Sequence, residues 1–266
     1  MLKKRGSSLR TLLPLTGPYP SVWLDAKYLK IREGDRVLSM ASVVATGVNA
    51  QGDREVLGCD VGPSASAEFW RGFLRDLTAR GLTGVQLVIS DAHGGLVQAL
   101  QTVLHGTTWQ RCRVHALRNL LRHVPKHQQA LVAAALRTIL VQPDHATALV
   151  ELAKVAETLQ ARFPAVAQEL RDMAHDLLAF MHFPAAHWRQ IDSPHPLDRL
   201  NREIGRRADV VGIVPNRTAR LRLIGAMLME PSDEGAAAPR RYLSQASMAL
   251  VVPAASPPSL PAAASA

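Results

Sequence analysis

Residues 85–90 read VQLVIS, a near-continuous apolar run. A strand this apolar has no face to offer water. It fits a parallel strand with helices packed above and below. The flanking sequence supplies such helices. "SASAEFWRGFLRDLTARG" reads as a helix, with Ser64 or Ser66 as the cap, Phe69, Phe73 and Leu77 on one face and Gly81 as the stop. "GLVQALQTVL" follows as a second helix, "TWQRCRV" as a short strand and "HALRNLLRHV" as a further helix. Upstream lie three strand-like runs, "SVWLDAKYLKI", "RVLSMASVVATGV" and "REVLGCDVG", the last two separated by the turn residues "NAQGD". Short turns between them predict an antiparallel meander. The order β-β-β-α-β-α-β predicts an α/β fold, a mixed sheet with flanking helices.

The pattern changes after residue 125. Residues 126–190 are rich in Ala and Leu and helical throughout, punctuated by Pro143, Pro164 and Pro184, as expected of an all-α insertion. The expected organisation is a flexible basic segment at 1–20, the first part of an α/β core at 21–125, the helical insertion at 126–190, and the last part of the core at 191–246. A disordered Pro/Ala tail is expected at 247–266. A helix starting after Pro196 carries "DRLNREIGRR".

Charge narrows the partner. Lys and Arg number 31 against 22 Asp and Glu, a net charge of +9, and the sequence pI is about 10.2. That surplus, mostly arginine, favours a polyanion, with nucleic acid ahead of an anionic membrane surface. Two cysteines, Cys59 and Cys112, make no disulfide framework and fit a reducing cytoplasm. The apolar part of the N-terminus, "TLLPL", is shorter than a signal-peptide core, and no run approaches a membrane span.

Three acids stand out against this background. Asp25 sits inside the first strand, where a carboxylate is a poor fit unless it faces solvent. Asp91 ends the buried strand, either as an N-cap for the next helix or at the carboxyl edge where open α/β sheets bind ligands. Glu203 lies among Arg199, Arg202, Arg206 and Arg207. It reads equally as an i,i+4 salt-bridge partner or as an acid at a phosphate site. If the first and fourth strands are adjacent and parallel, Asp25 and Asp91 come close, an arrangement that a divalent cation stabilises. With Glu203, three hard oxygen donors would suit Mg²⁺ or Mn²⁺ in a two-metal site.

The segments "YPSVWLDAKYLKIREG", "VATGVNAQGDREVLGCDVGPS", "VISDAHGGL", "WQRCRVHALRNLL" and "PLDRLNREIGRRADVVGIVPN" together resemble the mutator-type transposases of bacterial insertion sequences, over roughly residues 18–246. The resemblance implies an RNase H-like catalytic core with an all-α insertion before the last acid. It implies a DDE triad of Asp25, Asp91 and Glu203, with Mg²⁺ as cofactor. It also implies DNA cleavage at element ends, strand transfer into target DNA, action as a homo-oligomer on DNA, and a nucleoid-associated place in the bacterial cytoplasm. Its Cys-x-x-His pattern matches Cys112 and His115, and an aromatic position of its insertion matches Trp188, a candidate for stacking on an unpaired base or for core packing.

Residue spacing leaves a zinc alternative, Cys112 and His115 with His123 and His127. The chain departs from the family where Pro194, His195 and Asp198 precede Glu203 and where Gly205 replaces a basic residue, weakening that helix by about 1 kcal/mol. Family members extend further at the N-terminus, where they carry the domain that binds element ends. N-terminal truncation is therefore the expectation here. The open alternatives are an inactive remnant that only binds DNA, and an RNase H-like nuclease without strand transfer.

Overall fold

A computed structural model describes residues 14–33, 35–193, 197, 202–203, 205–207, 213, 216–226 and 241–251. The expectations for residues 1–13 and 252–266 lie outside the described residues. Five strands form one sheet: β1 (Ser21–Glu33), β2 (Arg36–Val48), β3 (Arg54–Gly62), β4 (Leu87–Ser90) and β5 (Thr108–Arg111). Their order across the sheet is β3-β2-β1-β4-β5. The β1–β2 and β2–β3 pairs are antiparallel, the expected meander, while β4 runs parallel to both β1 and β5. This is the mixed α/β class expected, and it is consistent with an RNase H-like core.

Alternation along β1 divides the interior. Val22 and Leu24 belong to the core beneath α1 (Ala67–Ala79) and α2 (Gly94–Val103), whereas Trp23 and Ile31 belong to the core on the opposite face. Helix α1 forms because Trp70, Phe73, Leu74 and Leu77 recur at helical spacing and are all buried. Ser66, rather than Ser64, caps it, its hydroxyl accepting from Phe69 N at 3.3 Å. Gly81, at φ 109°, ends the turn that follows.

The second face is covered by a helical run: α3 (Arg113–Arg122), α4 (Gln129–Leu140), α5 (His145–Gln160), α6 (Pro164–Asp172), α7 (Ala174–Leu178) and α8 (Trp188–Ile191). Leu152, Val155, Leu170, Leu177 and Phe180 from this run share one core with Trp23, Leu87 and Ile89 of the sheet. Gln110 fastens the two layers. It is fully buried on β5, its Nε2 donates to Leu177 O at 2.9 Å, and its Oε1 accepts from Phe180 N at 2.7 Å. The ends of the run are also tied together, because Arg113 Nη1 meets Asp192 Oδ2 at 2.7 Å and Arg113 N donates to Asp192 O at 3.1 Å. Among the described residues no helix is long and apolar enough to cross a membrane.

The turn between β2 and β3 anchors a short helix late in the chain, Gln245–Met248. Gly52 has φ 87°, its carbonyl accepts from Leu243 N at 3.0 Å, and a Cβ there would collide with the Leu243 carbonyl. Gly52→Ala is therefore expected to lower stability by about 1–3 kcal/mol. Gly72→Ala, at an exposed position of α1 with open space around it, is expected to raise it by about 0.5–1 kcal/mol. Urea unfolding of both variants checks the opposite signs.

Candidate active site

The site is set by strand register. Trp23 pairs with Ile89 as the last pair of the parallel β1–β4 ladder, and Asp25 and Asp91 each follow that pair by two residues. Asp25 continues the parity of Trp23 within β1, and Asp91 meets His115 of α3, so both lie on the face covered by α3–α8. Ser90 pairs with Arg111 in the β4–β5 ladder, and Cys112 N donates to Ser90 O at 2.8 Å, so Cys112 lies beside Asp91 in turn. Asp91 and Cys112 thus stand side by side just past the carboxyl ends of β4 and β5, and Asp25 lies within β1 two residues beyond its last pair with β4. This is where open α/β sheets concentrate ligand chemistry.

Asp91 is not the cap of α2. That position belongs to His93, which makes no side-chain cap bond. Asp91 instead pairs through Oδ1 with His115 Nδ1. Cys112 is fully buried at the N-cap of α3, its Sγ accepting from His115 N at 3.4 Å and lying 3.2 Å from His115 Nδ1. The hydrogen bond to Asp91, then that to Cys112, holds the His115 imidazole protonated far beyond its ordinary range, up to about 10, against the opposing effect of burial. Among the described residues, the ligand atoms of Asp91, Cys112 and His115 form a group lying within 4.8 Å of one another. Asp25 and Glu203 stand outside that group. Asp25 Oδ1 accepts from Ala26 N at 2.8 Å.

Glu203 is gripped by two arginines. Arg206 donates from Nε to Oε2 at 3.0 Å and from Nη2 to Oε1 at 2.8 Å, and Arg207 Nε reaches Oε1 at 2.7 Å. These bonds hold its carboxyl down at about 2. Arg202 is exposed, and Arg199 lies outside the described residues. Gly205 is buried against β1: a Cβ on it would fall on Lys27 Nζ. Lys27 is two residues from Asp25, on the same face of β1. The Glu203 segment is thereby seated on the strand that carries the first acid.

Trp188 is half-buried. Its Nε1 donates to Phe183 O at 2.8 Å, and its ring meets Phe180 edge-on at 5.6 Å. It therefore packs within the helical layer. A cavity of about 730 Å³ between α3 and α4 went unread in the sequence. Its lining includes Arg113, Arg118, Arg122 and Arg137 and no acid. The helical spacing of Arg118 and Arg122 was the available signal.

The His115 pairing gives a pH signature. Because its pKa is raised by folding, the stability it contributes is complete below its ordinary value near 6.5 and disappears as pH rises through about 10. In metal-free protein, the His115 imidazole is expected to remain protonated at pH 8 by NMR titration. Asp91→Asn is expected to return it toward 6.5.

The family model described as "Transposase, Mutator family" matches residues 10–238. The chain is 47% identical over 227 residues to the transposase for insertion sequence element IS1081 of Mycobacterium tuberculosis, covering 85% of this chain and 54% of that protein. It is 40% identical over 220 residues to the IS406 transposase of Burkholderia multivorans, covering 82% and 56%. It is 36% identical over 233 residues to the IS256 transposase of transposon Tn4001 in Staphylococcus aureus, covering 85% and 58%. The chain spans about half the length of these curated relatives. With a matched model over most of its residues and such identity to several insertion-sequence transposases, the chain belongs to the Mutator family of transposases.

Proposed function

We propose that this chain is the catalytic region of a DDE-type transposase, which cleaves DNA strands at the ends of an insertion sequence and transfers them to target DNA. The observation that carries the reading is the β1–β4 register, whose last pair, Trp23 with Ile89, leaves Asp25 and Asp91 each two residues further on. The seat of Gly205 on Lys27 supports Glu203 as the third acid.

The donor set suits Mg²⁺ or Mn²⁺. Asp25, Asp91 and Glu203 offer hard carboxylate oxygens, and all three are only partly buried. These residues would hold the ions, which when bound supply activation of a water or a 3′-hydroxyl and stabilisation of the leaving oxygen. The protein's own groups do the remaining work. Arg202, Arg206 and Arg207 border Glu203, where they can hold the phosphates of the reacting strand. His115 fixes the rotamer of Asp91 and presents a cation beside it. Arg118 and Arg122, one turn apart on α3, face Arg137 across the cavity and together can meet the phosphates of a nucleic-acid backbone.

Purified protein, incubated with Mg²⁺ or Mn²⁺ and DNA carrying element ends, tests the reading. Glu203→Gln and Asp25→Asn are each expected to reduce strand cleavage by about a thousandfold, while DNA binding persists. Binding with no metal-dependent cleavage by the wild type would mark a remnant that only binds DNA. Cutting of RNA–DNA hybrids without end preference would mark a nuclease instead. For the row on α3, Arg118→Ala combined with Arg122→Ala is expected to lower the slope of log affinity against log salt by about two, whatever the DNA sequence.

A further inference from the structure

Zinc ligation by Cys112, His115, His123 and His127 does not match the observed partners. His123 Nε2 faces Glu169 Oε2 at 3.3 Å, and His127 Nε2 lies 2.8 Å from Gln128 Nε2. The two ligands that do converge, Cys112 and His115, meet Asp91. We propose that Asp91, Cys112 and His115 form a binding site for a soft divalent cation of the zinc class, distinct in ligand chemistry from the all-carboxylate set.

Three features carry this. The first is ligand type: one thiolate, one imidazole and one carboxylate are a zinc donor set, and the sulfur disfavours Mg²⁺. The second is geometry. A tetrahedral zinc holds its nitrogen and sulfur ligands about 3.5 Å apart; His115 Nδ1 and Cys112 Sγ are already 3.2 Å apart, with the Asp91 carboxylate on the same nitrogen. The cation takes the place of the proton on Nδ1, and that proton and the thiol proton are released to solvent. The third is access with rigidity. Cys112 is fully buried at the helix cap, while the Asp91 and His115 side chains are 40% and 28% exposed, so the sulfur is fixed and an entry path opens on the other side. Three protein ligands leave a fourth position for water.

The consequence rests on the proposed function. Asp91 belongs to both sets, so occupancy by the soft cation withdraws it from the carboxylate set. The site itself stands independently of cleavage and is tested without DNA. Co²⁺ is the probe, added to the full chain at fixed pH. A thiolate-to-cobalt charge-transfer band is expected, erased by stoichiometric Zn²⁺ and unmoved by excess Mg²⁺. Cys112→Ser is expected to abolish the band while retaining the fold, because serine also caps a helix. His115→Gln is expected to weaken Zn²⁺ binding more than about tenfold. Cys59→Ser should keep the band, since that thiol is buried on β3, where burial pushes it up to about 12. No band in folded wild type, or a band surviving in Cys112→Ser, overturns the proposal. Either result leaves the cleavage reading intact, and loss of cleavage in the acid variants leaves this site intact.

Discussion

The insertion of β4 between β1 and β5 is the constraint on which the rest depends. It is a strand of only four residues, all buried, and it pairs in parallel on both sides. Because both neighbours run in the same direction, the residues just past the two parallel ladders come to one level, although β1 itself continues to Glu33. Asp25, Asp91 and Cys112 are far apart in the chain, yet they occupy consecutive positions across one sheet edge. A one-residue slip of β4 would turn Asp91 to the face beneath α1 and α2 and dismantle the arrangement. Leu87 and Ile89 resist that slip, because each would leave the core that it shares with Trp23 and the helical layer.

The helical layer begins and ends at this edge. Arg113 follows Cys112 directly, and its ion pair with Asp192 closes the excursion beside the site. Asp192 is almost wholly buried, so this pair is costly to break from either side. Gln110 performs the same office one layer down, satisfying both ends of its amide with the backbone around α7. The helical layer is thus tied to the sheet by polar contacts as well as by apolar packing. Its basic face on α3 therefore has a fixed direction relative to the acids.

Much of this was legible in the sequence, because it depends on local periodicity. The β-branched runs of β2 and β3 and the apolar run of β4 report their own burial, and Ser66 and Gly81 report the ends of α1 and of the turn after it. What was not legible depends on partners distant in the chain. Nothing near Gln110 announces Leu177 and Phe180. The bulge between Ala45 and Thr46 in the β2–β3 ladder left no mark either. Gly205 shows the difference most clearly. Within its own helix it is a weakness, whereas in the fold its missing side chain leaves the room that Lys27 occupies. A local rule is broken at the position where the Glu203 segment meets β1.

The charges at the edge are paired within the protein. His115 holds Asp91, and Arg206 and Arg207 hold Glu203, so two of the three acids are matched by cations within the protein itself. Such pairing relieves the repulsion that gathered carboxylates would otherwise suffer. On the proposed reading, the same cations become surplus once the carboxylates turn to metal ions, and they then face the phosphates of a bound strand. On that reading, the basic residues around Glu203 are both a helix salt bridge and a set of phosphate contacts. They would then be one set of guanidinium groups with two alternative anions, and the change of anion would link DNA arrival to assembly of the carboxylate set.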